Sequence, residues 1–197
     1  MSGLPAWAVE QTRAHFATGE RFEQEVLEAV LAAAAMMQAR LEAGGTVYTF
    51  GNGGSAADAQ HFTGELIGHY KRDRRPLRAV TLTTDATVLS CIANDYSYTD
   101  VFSRQVEALA GPQDVVAAFS TSGNSASIVE GLRAARRAGA TTVLFGGGSG
   151  GQALELADHA LLAPDTATAR IQEIHTLMLH LISEHLDAWA AEEAPSG

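Results

Sequence analysis

A single cysteine, Cys91, stands in this 197-residue chain, so no disulfide can close within it, and a reducing compartment is the simpler expectation. Long hydrophobic runs are also missing. The longest apolar stretch, AVLAAAAMM, is too short to span a bilayer, and the opening MSGLPAWAVEQTR lacks the basic start and apolar run of an export signal. Together these absences make the cytoplasm the expected location, with no membrane partner. Positive charge is scarce: 13 Lys plus Arg face 23 Asp plus Glu, for a net charge of −10, which disfavours a nucleic-acid backbone as partner.

What is present suits one folded domain. Hydrophobic residues make up 46% and charged residues 18%, far from the depleted composition of disordered chains, and the length fits a single core. Apolar residues at Phe22, Val26, Leu27, Val30, Ala34, Met37 and Leu41 recur at helical spacing before Gly44 and Gly45, which predicts a long helix over 21–43 within a helical segment of about 5–43. The alanines and Met36 widen its apolar face, as in a helix covered by another subunit or one buried in the core.

Beyond it, short β-rich runs alternate with helical patterns. TVYTF, AVTL, DVVAAF, TTVLF and HALLA read as parallel strands, apolar on both faces. Helices are predicted at about 56–69, 86–93, 98–110, 125–138 and 151–157, and a last long one at about 168–191. The tail EEAPSG reads as frayed. The result is one three-layer α/β domain.

Ligands of an open parallel sheet bind beyond the carboxyl ends of its strands. Three loops there are small and polar: GNGGSA after the first strand, STSGNSAS after the third and GGGSGG after the fourth. Glycines let backbone N–H groups approach a ligand, and helix N-termini favour anions. Ser120, Thr121, Ser122 and Ser125 add four hydroxyls in six residues, more than one N-cap needs, so this loop is the expected phosphate holder. GGGSGG has no assigned role. No lysine follows these loops as the Walker pattern requires. Gly51, Gly53 and Ala56 satisfy a loose dinucleotide fingerprint, but no acidic residue ends a second strand some 20 positions on. The basic run KRDRR at 71–75 reads as a solvated loop, with contact to an anion or a neighbouring subunit as the alternative.

On a helix, His61 and Glu65 lie one turn apart on one face, where they can share a metal or a substrate proton, or form an ordinary helix pair. In RIQEIHTLMLHLISEHL, Gln172, Thr176 and His180 follow at intervals of four. Spacing cannot choose His180 over His175 or His185, which read as structural or exposed.

Taken together, GNGGSAADAQHFTGEL, IANDYSY, STSGNSASIVEGL and ARIQEIHTLMLH resemble the phosphoheptose isomerase branch of the sugar-isomerase (SIS) family, over about residues 16–186. The resemblance implies a flavodoxin-like five-stranded parallel sheet in a single SIS domain spanning 1–197, and a homotetramer with sites between subunits. It also implies conversion of the ketose sedoheptulose 7-phosphate to the aldose D-glycero-D-manno-heptose 7-phosphate. It assigns His61, Glu65, Gln172 and His180 to zinc, with Gln172 as a substrate contact the alternative, since glutamine is an unusual zinc ligand. It assigns Asn52, Gly53, Gly54, Asn94, Asp95, Ser120, Thr121, Ser122 and Ser125 to the sugar phosphate, with Ser55 beside them, and Glu65 and His180 to acid–base roles. Some members carry an acidic residue where this chain has Ala169. A regulatory, non-catalytic relative that binds a partner protein or a phosphosugar is the alternative, but it lacks counterparts of Glu65 and His180.

Overall fold

The computed structural model describes residues 3–192. The tail expected to fray falls mostly outside them. Five strands, β1 (Val47–Gly51), β2 (Ala79–Thr81), β3 (Val115–Phe119), β4 (Thr141–Gly147) and β5 (His159–Ala163), form one parallel sheet in the order β2-β1-β3-β4-β5. All four pairings are parallel, with Val47 opposite both Ala79 and Val115, and Val115 opposite Thr141. This is the flavodoxin-like order, and its topological switch point lies between β1 and β3.

Side chains alternate across each strand. Val115, Ala117 and Phe119 face a core shared with helices α1 (Ala6–Glu25), α2 (Leu27–Glu42), α3 (Gly54–Ile67) and α7 (Thr168–Glu192). Val116 and Ala118 face a second core under α4 (Ala86–Asp95), α5 (Ser103–Leu109) and α6 (Ala126–Ala138). Phe119 and Phe145 stack at 4.1 Å in the first core, and each such buried ring contributes about 1.5–3 kcal/mol. Both faces are covered over the central strands β1, β3 and β4, which are buried at every position, while Val80 on the edge strand β2 is exposed.

Three predicted helices differ in detail. The helix expected over 21–43 is two helices that break at Val26, whose φ of −125° leaves the helical region. The Val26 N–H still donates to Phe22, and Val30 to Val26, so the chain bends without stopping, and no Pro or Gly marks the place. The helix expected over 98–110 is a 3₁₀ turn, Tyr98–Asp100, followed by α5. Ser97 Oγ donates to the Asp100 carboxylate and Ser103 Oγ to the Asp100 carbonyl, local bonds that compete with a continuous helix. Residues Gly151–Leu156 form a 3₁₀ helix. Among the described residues no helix is long and apolar enough to cross a membrane.

Candidate active site

The loops after β1 and β3 flank the switch point. Asn52, Ser55, Ser120, Thr121, Ser122 and Ser125, all nominated from sequence, line one cavity of about 60 Å³. The β3 loop is folded on itself: the Gly123 N–H donates to Ser120 Oγ, and the Asn124 N–H to Ser122 Oγ. Ser125 occupies the N-cap of α6 yet makes no side-chain cap bond. Capping therefore does not explain these hydroxyls, which gather as hydrogen-bonding groups around one cavity.

The GGGSGG loop has a part that its sequence did not reveal. Gly123 has φ +63°, and a Cβ there would collide with the Gly150 carbonyl. Ala153 N–H donates to Gly123 O, and Gln152 N–H to Asn124 Oδ1. The β4 loop therefore buttresses the serine loop from behind.

Asn52 is fixed from two sides. Its Nδ2 donates to Ser127 Oγ at 3.0 Å, and Tyr98 Oη donates to its Oδ1 at 2.8 Å. Asn94 and Asp95 are exposed at the end of α4 and hydrogen-bond each other at 2.7 Å. Tyr98, the last residue of the IANDYSY motif, is the one that reaches the β1 loop. Sequence reading passed over it, and adjacency would not have found it, since Tyr96 is the aromatic next to Asp95.

On the other side of the β1 loop, His61 and Glu65 from α3 meet His180 from α7. Glu65 Oε1 lies 3.0 Å from His61 Nε2, and His180 Nε2 lies 3.4 Å from the same nitrogen. One donor atom from each of the three falls within 4.8 Å of the others. Two imidazoles and a carboxylate at this separation suit zinc's nitrogen and oxygen preferences, leaving coordination positions open. Burial, then the neighbouring His61 and Lys71, push His180 below the ordinary imidazole value, with Glu65 opposing. Gln172 lies against the β1 loop: a Cβ on Gly54 would collide with its amide. That contact places the Gln172 amide at the start of α3, two helical turns before His61.

The other histidines of α7 sort themselves. His175 is fully buried, its Nε2 2.9 Å from the Gly146 carbonyl, and His185 Nε2 lies 2.8 Å from Gln38 Oε1. Both are structural.

The basic run at 71–75 is exposed at Lys71, Arg72, Asp73 and Arg75, as expected of a solvated loop, while Arg74 alone turns inward. Arg74 and Asp187 form an ion pair with side-chain exposures of 1% and 0%. Lys71 and Arg72 pair with Glu184, and Arg75 lies over the Trp189 ring. Its acidic partners lie over 100 residues downstream, out of reach of any local reading. Asp187 would be raised by burial, but the backbone N–H groups of Lys71, Arg72 and Tyr70, together with Arg74, hold its carboxyl below the usual range.

The family model described as SIS domain matches residues 13–147. The probable phosphoheptose isomerase of Thermoplasma acidophilum is 48% identical over 161 residues, covering 82% of this chain and 88% of that one. The phosphoheptose isomerase of Aquifex aeolicus is 40% identical over 185 residues, covering 94% and 95%. The solved structure of a phosphoheptose isomerase from Francisella tularensis superposes with a TM-score of 0.89 at 31% identity, covering 92% of this chain and 96% of that one.

Proposed function

Since this chain belongs to the SIS-domain family and resembles its phosphoheptose isomerases nearly end to end, we propose that it is an aldose–ketose isomerase. It converts D-sedoheptulose 7-phosphate to D-glycero-D-manno-heptose 7-phosphate through an enediol. The observation that carries this reading is the meeting of His61, Glu65 and His180 on helices that begin beside, or lie against, the anion-binding loops.

The reaction needs a proton taken from C1, a proton returned to C2, and a stabilised enediol between. Glu65 is the base that removes the C1 proton. His180, on the opposing helix, is the acid that serves C2; a neutral imidazole can fill such a role through its N–H. Ser120, Thr121, Ser122 and Ser125 grip the phosphate, whose binding energy positions the far end of the sugar. Asn52, Gly53, Gly54 and Ser55 hold the chain of hydroxyls, with Asn94, Asp95 and Gln172 as further contacts. His61, Glu65 and His180, with Gln172 as a fourth donor, would hold zinc, which when bound polarises the carbonyl and stabilises the enediolate oxygens.

The working unit is a cytoplasmic homotetramer of single SIS domains with sites between subunits. Leu4, Trp7 and Phe16, 64–69% exposed on or beside α1, support a subunit contact there, and light scattering would give the mass. The catalytic reading is tested by incubating zinc-loaded protein with sedoheptulose 7-phosphate. Glu65→Gln and His180→Gln should each lower turnover by about 10²–10⁴-fold. Near-normal turnover in both would sink the role assignment, and wild-type protein that neither binds zinc nor isomerises the sugar would sink the function.

A further inference from the structure

A histidine that binds a metal usually has its ring fixed by a hydrogen bond from its other nitrogen to a carboxylate or carbonyl. Among the described residues His180 has no such bond; its polar contact is His61. Its ring is instead packed flat against Tyr70, with centroids 5.2 Å apart and planes 24° from parallel, while His61 meets it edge-on at 5.0 Å.

Tyr70 is itself held by a short strap, residues 70–74, laid along α7. On that helix His180, Glu184 and Asp187 are spaced by four and seven residues, so all three point to one side. Asp187 accepts from the N–H groups of Tyr70, Lys71 and Arg72 at 3.3, 2.9 and 2.6 Å, and from Arg74 Nε at 2.8 Å. Those four bonds fill the carboxylate's acceptor positions. The other end of Arg74 turns to α3, where it donates to the carbonyls of Glu65 at 2.7 Å and Leu66 at 2.9 Å, carbonyls of the last helical turn that have no partner within the helix. One guanidinium thus ties the backbone of Glu65 to the helix that carries His180.

We infer that Tyr70, anchored by the Arg74–Asp187 pair, is a positioning residue: its ring sets the orientation of His180 toward His61 and Glu65. This rests on the metal reading of those three side chains. The strap does by aromatic packing what a hydrogen bond does at most metal-bound histidines, and it acts on both helices of the site at once.

The test compares wild-type protein with Tyr70→Phe, Tyr70→Leu and Tyr70→Ala. Zinc affinity is read by competition with a chelator, ligand geometry by the visible absorption of the cobalt-loaded protein, and kcat and KM separately. Tyr70→Phe keeps the ring and should stay within about twofold of wild type. Tyr70→Ala and Tyr70→Leu should lose about 10–100-fold in zinc affinity, shift the cobalt bands and lower kcat, while KM for the sugar phosphate stays within about threefold because the serine loop is untouched. The leucine variant retains apolar volume and serves if the alanine variant fails to fold. Leucine-variant protein with wild-type zinc affinity and cobalt spectrum overturns the inference and leaves the metal reading intact. Wild-type protein that takes up neither zinc nor cobalt overturns both.

Discussion

Arg74 Nε lies 2.8 Å from Asp187 Oδ1, with both side chains sealed from solvent. Removing one member of such a pair strands the other charge in the interior, at a cost of about 3–5 kcal/mol. Asp187→Asn should therefore lower Tm by roughly 6–20 °C for a domain of this size, measured by calorimetry. Because the folded pKa of Asp187 is depressed, its stabilisation is complete above the unfolded carboxyl value of about 3.9 and is lost as pH falls through the folded one. The acid limb of the wild-type Tm profile should flatten in the variant.

Gly54→Ala tests the approach of Gln172 to the β1 loop. The new Cβ collides with the amide end of a flexible side chain, so Gln172 can swing away, and alanine is the better helix former. Tm should change by no more than a few degrees while kcat falls about tenfold or more. Combining it with Gln172→Ala should add little further loss, since both changes remove the same contact; a fully additive loss would refute the contact.

Gly123→Ala addresses the serine loop. There the obstruction is the Gly150 backbone and φ is positive, so the loop itself must move. Displacing the phosphate grip should cut kcat/KM by about 10²-fold, chiefly through KM, with zinc affinity unchanged. Steady-state kinetics alongside a chelator titration would separate the two effects.

His180 should titrate below the ordinary imidazole value of about 6.5 in metal-free protein, because burial, His61 and Lys71 outweigh Glu65. Between its folded value and about 6.5 the unfolded chain binds more protons, so this group's contribution to stability falls as pH drops through that window. Glu65→Gln removes an opposing charge and should lower the His180 value further, while Lys71→Met should raise it. NMR titration of the imidazole checks both directions.

Much of the fold could be read from local pattern. The central strands β1, β3 and β4 were recognised because a two-faced apolar run reports its own burial, and Ser120, Thr121, Ser122 and Ser125 stood out because four hydroxyls exceed the needs of a cap. The bend at Val26 left no trace, since its hydrogen-bond ladder continues and no breaker residue marks it. GGGSGG could not show its buttressing part, because the loop it supports lies more than 20 residues earlier in the chain.

The sequence by itself determined which residues have site chemistry and which elements carry them: His61 and Glu65 one turn apart on α3, and several histidines along α7. Helical spacing could not choose among those histidines, and tertiary packing decided which of them meets the α3 pair. His175 and His180 are five residues apart, about 140° around the helix, so the face α7 turns to the sheet buries His175 under Gly146 and the face it turns to α3 delivers His180. Helical period fixes the angles between side chains, but only packing against a second element sets where those angles point.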